Sequence, residues 1–266
     1  MNVSIVLYQT DYSEVKQIVD TLRRSEVVSS IFLVDNSPVE NGDFKNLDAI
    51  YIFNNANLGY GKAHNIALRK TIFANVEYHL VLNADLIFDS EILAEMLQYM
   101  SDNPDVGHMM PKIFYPNGSV QYLCKMLPTP FDLFGRRFLP KSWTKIRNAR
   151  FEMRATNYDT IMNAPYLSGC FMLLRIEALE EVGLFDERFF MYPEDIDLTR
   201  RIHVRYKTVF YPNVQVIHNH AQKSYKGLKM LYIHILNLIR YFNKWGWIFD
   251  AERKAINKKI VEQYKL

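Results

Sequence analysis

The sequence predicts an α/β fold: an open, mostly parallel sheet flanked by helices, with a helical C-terminal tail. Three observations predict it. Four short β-rich runs, Val3 to Tyr8, Ile31 to Val34, Ala49 to Phe53 and Tyr78 to Leu82, are spread through the first third of the chain. Helical spacing of apolar residues recurs between them. Three of the runs end in polar clusters, Asp35-Asn36-Ser37-Pro38, Asn54-Asn55-Ala56-Asn57 and Asn83-Ala84-Asp85. Such sheets bind their ligands beyond the carboxyl edges of the strands, where these clusters fall.

In order, Val3 to Tyr8 is the first strand; MNVSIVLYQT has no basic leader and reads as a strand, not as a secretory signal. Asp11 to Arg24 places Val15, Ile18, Val19 and Leu22 at helical spacing, with Ser13 as the expected cap. Ile31 to Val34 is a continuous apolar run, as in a strand buried on both faces. Gly59 and Gly61 lead into a helix near Lys62 to Phe73, and Ser90 to Met100 is a further amphipathic helix. Val106 to Phe114 reads as a strand, and Tyr115 to Tyr158 as a loop-and-helix insertion over the site. Tyr166 to Arg175 predicts one more strand, Ile176 to Val182 a short helix ended by Gly183, and Pro193 to Val204 a helix. Thr208 to Tyr211 and Val214 to Ile217 return to extended structure. From Leu228, the residues Leu231, Tyr232, Ile235, Leu238, Ile239 and Phe242 again recur at helical spacing.

With 266 residues, 49% of them hydrophobic, the chain is long enough for a sizeable core, and disorder is excluded. No apolar run is long enough to span a bilayer. Cys124 and Cys170 make neither a disulfide framework nor a metal pattern, which fits a reducing cytoplasm. The net charge of +3 conceals an asymmetry: residues 222–266 hold ten Lys/Arg against three Asp/Glu, leaving −4 for the rest. A mildly acidic body, residues 1–221, with a basic, aromatic extension, residues 222–266, suggests a catalytic domain whose tail meets an anionic surface; a solvated helix face is the alternative. No repeat or Gly/Ser linker divides the body.

Three constellations could carry chemistry. In FFMYPEDIDLTRR, Phe189 to Arg201, the acids Glu194, Asp195 and Asp197 are crowded behind Pro193, which suits a base, a cation site or simply a favourable helix N-terminus. Asn83-Ala84-Asp85 ends a strand and can offer oxygen to a hard divalent cation, and His218-Asn219-His220 ends another with both imidazoles on one face. Without Cys or HExxH, Mg²⁺ or Mn²⁺ fits better than zinc. In Asn57-Leu58-Gly59-Tyr60-Gly61-Lys62-Ala63-His64-Asn65, two glycines and Lys62 at a helix start suit a diphosphate, although neither a Walker loop nor a GxGxxG spacing is present.

With these residues the chain resembles a family 2 glycosyltransferase of the GT-A fold, and within that family the bacterial rhamnosyltransferase-type enzymes of polysaccharide assembly. The motifs SIVLYQTD, VDNSP, NNANLGYGKAHNIAL, VLNADLIF, LSGCFMLLRIEALEEVGLFDERFFMYPEDIDLTRRI and VIHNHAQKS carry the likeness, in order, over residues 3 to about 224. The resemblance implies inverting, metal-dependent transfer from a nucleotide-diphosphate sugar, dTDP-rhamnose or a UDP-hexose, to a saccharide acceptor, with lipid-linked acceptors among those to expect. It implies Tyr8, Thr10 and Asp35 on the base and ribose, and Asn57, Gly59, Lys62, Asn65 and Asn83 on the nucleotide and diphosphate. Asp85 would be the metal-binding acid of a degenerate DxD motif whose first Asp is here Asn83, with His218, or alternatively His220, as second ligand to Mg²⁺ or Mn²⁺.

Asp195 would be the general base, its pKa raised by crowding from Glu194. Glu194 and Asp197 would tune it or bind acceptor, Arg201 would pair with Asp197 one turn away, and Ser168, Gly169 and Cys170 would wall the acceptor side. Lys244-Trp245-Gly246-Trp247 and the basic end suit an interfacial anchor, so the expected place is the cytoplasm, peripherally on the inner membrane face, with no nucleic acid as partner. A nucleotidyltransferase is the rival enzyme, but its basic Gly-rich phosphate signature near the first strand is missing. A non-catalytic nucleotide-sugar or glycan-binding module is the other alternative.

Overall fold

Period-two alternation decides which helix covers which face of the sheet. In a computed structural model, which describes residues 1–135, 141–219 and 228–266, strand β1 (Asn2–Leu7) sends Val3, Ile5 and Leu7 to one side, against helix α1 (Tyr12–Arg23). Val15, Ile18, Val19 and Leu22 of α1 are buried there, as their spacing predicts. The cap is Asp11, whose carboxylate accepts the Ser13 N–H at 2.8 Å, so Ser13 is the residue being capped and not the cap. Strands β2 (Ser30–Asp35) and β3 (Ile50–Phe53) pair parallel beside β1, and Phe32 and Val34 meet Ala63 and Ala67 of α2 (Tyr60–Phe73) on the opposite side.

β4 (Tyr78–Leu82) completes the parallel half on the other flank of β1. The two-residue strand β5 (Leu86–Ile87), helix α3 (Ile92–Asp102) and strand β6 (Val106–Phe114) follow. The stretch predicted as an insertion contributes the short strand β7 (Cys124–Lys125), a single wide turn over Phe131–Gly135 and helix α4 (Lys141–Phe151). Short strands β8 (Met162–Asn163) and β9 (Tyr166–Leu167) precede β10 (Phe171–Arg175), α5 (Ile176–Val182), α6 (Glu194–His203) and β11 (Lys207–His218). The sheet order among the described residues is β3-β2-β1-β4-β10-β6-β11-β5, with β8 on β11; β10 runs against β4 and β6, and β6 pairs parallel with β11.

Two predicted strands differ from the observed ones. Tyr166 to Arg175 breaks into β9 and β10 because residues 168–170 leave the ladder for the site described below. The two extended stretches after Thr208 join into one twelve-residue strand, with a register shift between Tyr211 and Gln215.

The tail forms α7 (Leu228–Trp245) and α8 (Ala251–Tyr264). Of the two places expected for it, its buried side packs on the body: Tyr241 and Phe242 join Phe151, Phe189 and Ile196 in one apolar cluster. Asn257 exchanges both hydrogen bonds with the Leu127 backbone, and Tyr264 Oη accepts the Asn163 N–H. Among the described residues no helix is long and apolar enough to cross a membrane.

Candidate active site

The strand order brings the expected polar residues to one edge. Leu7 is level with Asp35, and Leu82, just before Asn83, is level with Phe171, just after Cys170. His218 pairs with Leu86. Thus the ends of β1, β2, β4 and β11 and the start of β10 share a rim, and α6 points its N-terminus toward the Ser168–Cys170 break.

Asp195 is fixed there by backbone donors. Its carboxylate accepts the Gly169 N–H at 3.0 Å and the Ile196 N–H at 2.7 Å. A Cβ on residue 169 would come within 3.1 Å of Asp195 Cβ, so the missing side chain is what lets the two backbones approach. Burial pushes the Asp195 carboxyl up to about 6, against the hydrogen bonds and the nearby Lys125, which hold it down. This replaces the expected cause, crowding by Glu194. The repulsion falls on Glu194 instead, whose carboxyl burial and then the Asp195 charge push well above the usual range. Glu194 Oε2 is buried without a hydrogen-bond partner. Pro193 caps α6 rather than occupying its first turn, and Tyr192 before it is held at φ 91°, a conformation costly for an aromatic residue and persistent only where neighbours impose it. Asn237 of α7 donates to Met191 O at 3.0 Å and His234 packs against the Tyr192 ring, so the tail imposes it.

Across the rim, Asp85 Oδ1 lies 3.2 Å from His218 Nε2. The amide of Gln121 donates to Phe114 O and His218 O, which turns its Oε1 toward His218 Nδ1 at 3.1 Å. Nδ1 therefore carries the hydrogen and Nε2 faces Asp85, the tautomer a metal-ligating imidazole needs. Burial alone would lower the His218 pKa, but Asp85 and Cys170 beside it raise it to about 10. One carboxylate and one oriented imidazole fit a hard divalent cation whose remaining ligands phosphate and water would supply. No cluster of three or more His, Cys, Asp or Glu suited to a metal occurs among the described residues, and the alternative His220 lies outside them.

The glycine run packs closely on the segment that leads into α6. Gly59 has φ +83°, and a Cβ there would sit 2.3 Å from Phe190 O; Tyr60 N donates to that same oxygen at 3.0 Å. A Cβ on Gly61 would meet Phe185 Cβ at 2.8 Å. Close approach is needed here by the segment leading into α6. Asn65, expected on the nucleotide, clamps Phe185 by its backbone N–H and C=O, and Lys62, expected on the diphosphate, leans toward Glu187 at 3.8 Å. Asn57 accepts the Gly59 N–H. Asp35 is wholly buried, with one oxygen accepting the Ser37 N–H and the other the Tyr51 hydroxyl, and so shapes the turn. Tyr8 is exposed on the rim, and Thr10 accepts its N–H.

Asp197 is buried away from the rim. Arg201 Nε reaches it at 2.9 Å, the expected pairing, but Lys244 Nζ at 2.6 Å and Trp245 Nε1 at 2.8 Å complete its shell. It therefore ties the tail to α6. Arg201 also donates to the carbonyls of Val182, Gly183 and Leu184. The adjacent Arg200 is equally buried, forked onto Asp250 at 2.7 and 2.8 Å, bonded to Glu252 and stacked 3.9 Å over Trp245.

Sequence reasoning missed Tyr60 and Gln121. The Tyr60 hydroxyl lies 2.7 Å from Gly169 O and 3.1 Å from Asn83 Oδ1, linking the Ser168–Cys170 segment to the strand end that carries Asp85, and burial keeps it protonated. Its place between two glycines was a usable signal. Gln121 sits in the irregular insertion, where no pattern marks it.

A family model described as Glycosyl transferase family 2 matches residues 5–183. The N-acetylglucosaminyl-diphospho-decaprenol L-rhamnosyltransferase of Mycobacterium tuberculosis is 30% identical over 184 residues, 64% of this chain and 58% of that protein. Rhamnosyltransferase WbbL of Escherichia coli K12 is 26% identical over 191 residues, 69% of each. The chain thus spans little more than half of the mycobacterial relative. Among solved structures, S. aureus TarS superposes with a TM-score of 0.60 at 14% identity, over 99% of this chain and 43% of that one. GalNAc-T7 with UDP, GalNAc and Mn²⁺ gives 0.57 at 16%, over 82% and 43%. These likenesses identify the fold as GT-A. The match to the family model ends before α6, so the reading of Asp195 rests on its geometry.

Proposed function

The chain belongs to glycosyl transferase family 2, and from that premise we propose that it transfers a sugar, with inversion, from a nucleotide-diphosphate sugar to a lipid-linked saccharide acceptor. The observation that carries the reading is Asp195: a buried carboxylate of pKa about 6, held by two backbone donors at a helix N-terminus on the rim that also bears Asp85 and His218. A carboxylate so raised is basic enough to take a proton from an acceptor hydroxyl near neutral pH. Proton transfer to Asp195 would accompany attack of that oxygen on the anomeric carbon, from the face opposite the departing diphosphate.

A divalent cation, when bound, supplies charge neutralisation for the leaving diphosphate. Asp85 and His218 would hold it, with Gln121 fixing the imidazole. Tyr60 and Gly169 keep the base wall and the cation strand in register. Glu194, whose carboxyl burial drives toward the neutral form, lies beside the base, while Ser168 and Cys170 would complete that wall. Tyr8, Thr10 and the turn that Asp35 holds together would face the nucleoside, with Asn57 and Asn83 toward the diphosphate.

The names of the mycobacterial and E. coli relatives support a rhamnosyl donor and, in the first case, a polyprenyl-diphosphate acceptor. dTDP-rhamnose is accordingly the first donor to test and UDP-hexoses the second. Such an acceptor would place the protein against the inner face of the cytoplasmic membrane. Nucleotide release from a donor panel, with Mn²⁺ and a GlcNAc-diphospho-lipid analogue, tests the reading. Donor- and acceptor-dependent release of dTDP or UDP is expected, and none from any donor would refute it.

A further inference from the structure

The loop joining α7 to α8 presents apolar side chains to water while its backbone is held in place. Ile248 is 80% exposed and Phe249 95%, with Trp247 at 38%. The loop is nonetheless ordered from within. Gly246, at φ +98°, makes a turn so tight that a Cβ would lie 2.6 Å from Phe249 O. The Arg253 guanidinium donates to Trp247 O at 3.2 Å and to Pro128 O at 3.2 Å. Both ends are anchored to α6, through Trp245 on Asp197 and Asp250 on Arg200. A fixed loop that holds large apolar groups out in water has the character of a contact surface.

A second element extends the patch. Trp247 stacks on Phe134 with centroids 6.2 Å apart, at the end of the Phe131–Gly135 turn. Arg147 of α4 lies 4.6 Å over the Phe131 ring and bonds Asp132 at 2.6 Å, which brings α4 alongside. On the same helix face as Arg147, by i, i+4 spacing, stands Trp143, 75% exposed, and beside it Ile146, 87% exposed. α4, KSWTKIRNARF, carries Lys145, Arg147 and Arg150 and no acid, and Lys254 is exposed in the first turn of α8. Aromatic and aliphatic side chains interleaved with an excess of cations, of which Arg147 is paired with an acid, are complementary to a lipid headgroup layer of negative charge, and less so to an acidic protein, which offers no apolar depth for them.

We propose that Trp247, Ile248 and Phe249, with Trp143 and Ile146, form a docking surface for an anionic lipid bilayer, into which the loop inserts while the basic residues meet the headgroups. This assigns the membrane contact to the loop and α4 and not to the end of α7 that carries Tyr241 and Phe242, which packs on Phe151 and Phe189. Because the inserted loop is tied at both ends to α6, the bilayer would hold the helix that carries Asp195 at a fixed height. The proposal rests on the lipid-linked acceptor only for its purpose, since docking itself needs neither donor nor acceptor.

The test is co-sedimentation of the full chain with vesicles of phosphatidylglycerol and phosphatidylethanolamine, against phosphatidylcholine vesicles, at low and physiological salt. Wild type is expected to bind the anionic vesicles, more weakly at higher salt. The Ile248→Ser/Phe249→Ser double variant should bind about tenfold more weakly or worse, as loss of two buried apolar side chains requires. Phe73→Ser, at an equally exposed site on α2, should bind like wild type. Nucleotide release with a water-soluble acceptor should be the same in all three proteins, which separates a docking defect from a failure of the transferase reading. Wild type that ignores anionic vesicles, or a double variant that binds them equally, would overturn the proposal. So would a concentration-dependent dimer, lost in the double variant, in a protein without vesicle binding, since the patch would then join two copies of the chain.

Discussion

Replacing Asp195 by Asn should make the fold more stable at neutral pH. The folded carboxyl titrates near 6 and its ordinary value is 3.8, so between those values the native state binds more protons than the unfolded one. Stability therefore falls as pH rises through this window, and the cost is complete above about pH 7. A shift of roughly two units corresponds to about 3 kcal/mol. Asn removes the ionisation, but its amide can accept only one of the two N–H groups that Asp195 accepts, from Gly169 and Ile196, which returns about 1 kcal/mol. The net gain is about 2 kcal/mol at pH 8, or a rise of roughly 4–8 °C in melting temperature, and it should vanish near pH 4.5. Calorimetry of both proteins at the two pH values measures it. A variant that melts below wild type at pH 8, or a difference independent of pH, would refute the assignment of a strained, ionised carboxylate.

Other consequences can be measured in the same way. Gln121→Leu removes the acceptor that orients His218 and should weaken Mn²⁺ binding, read by titration calorimetry with nucleotide present, by about tenfold; Asp85→Ala should abolish it. Arg200→Met removes the fork on buried Asp250, leaving it the Arg253 N–H and a guanidinium 3.8 Å away, and should cost about 3 kcal/mol in urea denaturation, whereas Trp245→Phe, which loses one hydrogen bond to Asp197, should cost about 1–2 kcal/mol. Gly59→Ala forces a Cβ into Phe190 O and should destabilise the fold far more than Gly118→Ala, which has a similar φ and open space around it, so that its cost is backbone strain of about 1 kcal/mol.

The parallel half of the sheet and its polar rim were legible because each strand there is a local signal: an apolar run a few residues long that ends in Asx. The two-residue strands β5, β7, β8 and β9 were not, since none is long enough to show a period. The glycine run illustrates a subtler limit. Its physical demand, backbone approach without a side chain, was read correctly at Gly59 and Gly61, but the approaching group is the Phe190 carbonyl and the Phe185 side chain, more than 120 residues away in sequence. Separation along the chain, here 48 residues to Trp245, also hid the role of Asp197. As a third acid in a crowded motif it looked chemical, and only the arrival of Lys244 and Trp245 from the tail makes it structural. Lys244-Trp245-Gly246-Trp247 likewise reads as one interfacial segment, yet Trp245 turns inward onto Arg200 and Asp197 while Trp247 begins the exposed loop.

The most direct measurement of whether Asp195 is the base is the pH dependence of nucleotide release, with donor, acceptor and Mn²⁺ supplied, in wild type and Asp195→Asn. In wild type kcat/KM should fall tenfold per pH unit below about 6, the range in which the carboxylate takes up its proton. In the Asn variant the rate should be lower by about 10²-fold or more, and the limb near pH 6 should be gone. An Asn variant as active as wild type, or one that keeps the same limb, would place the base elsewhere.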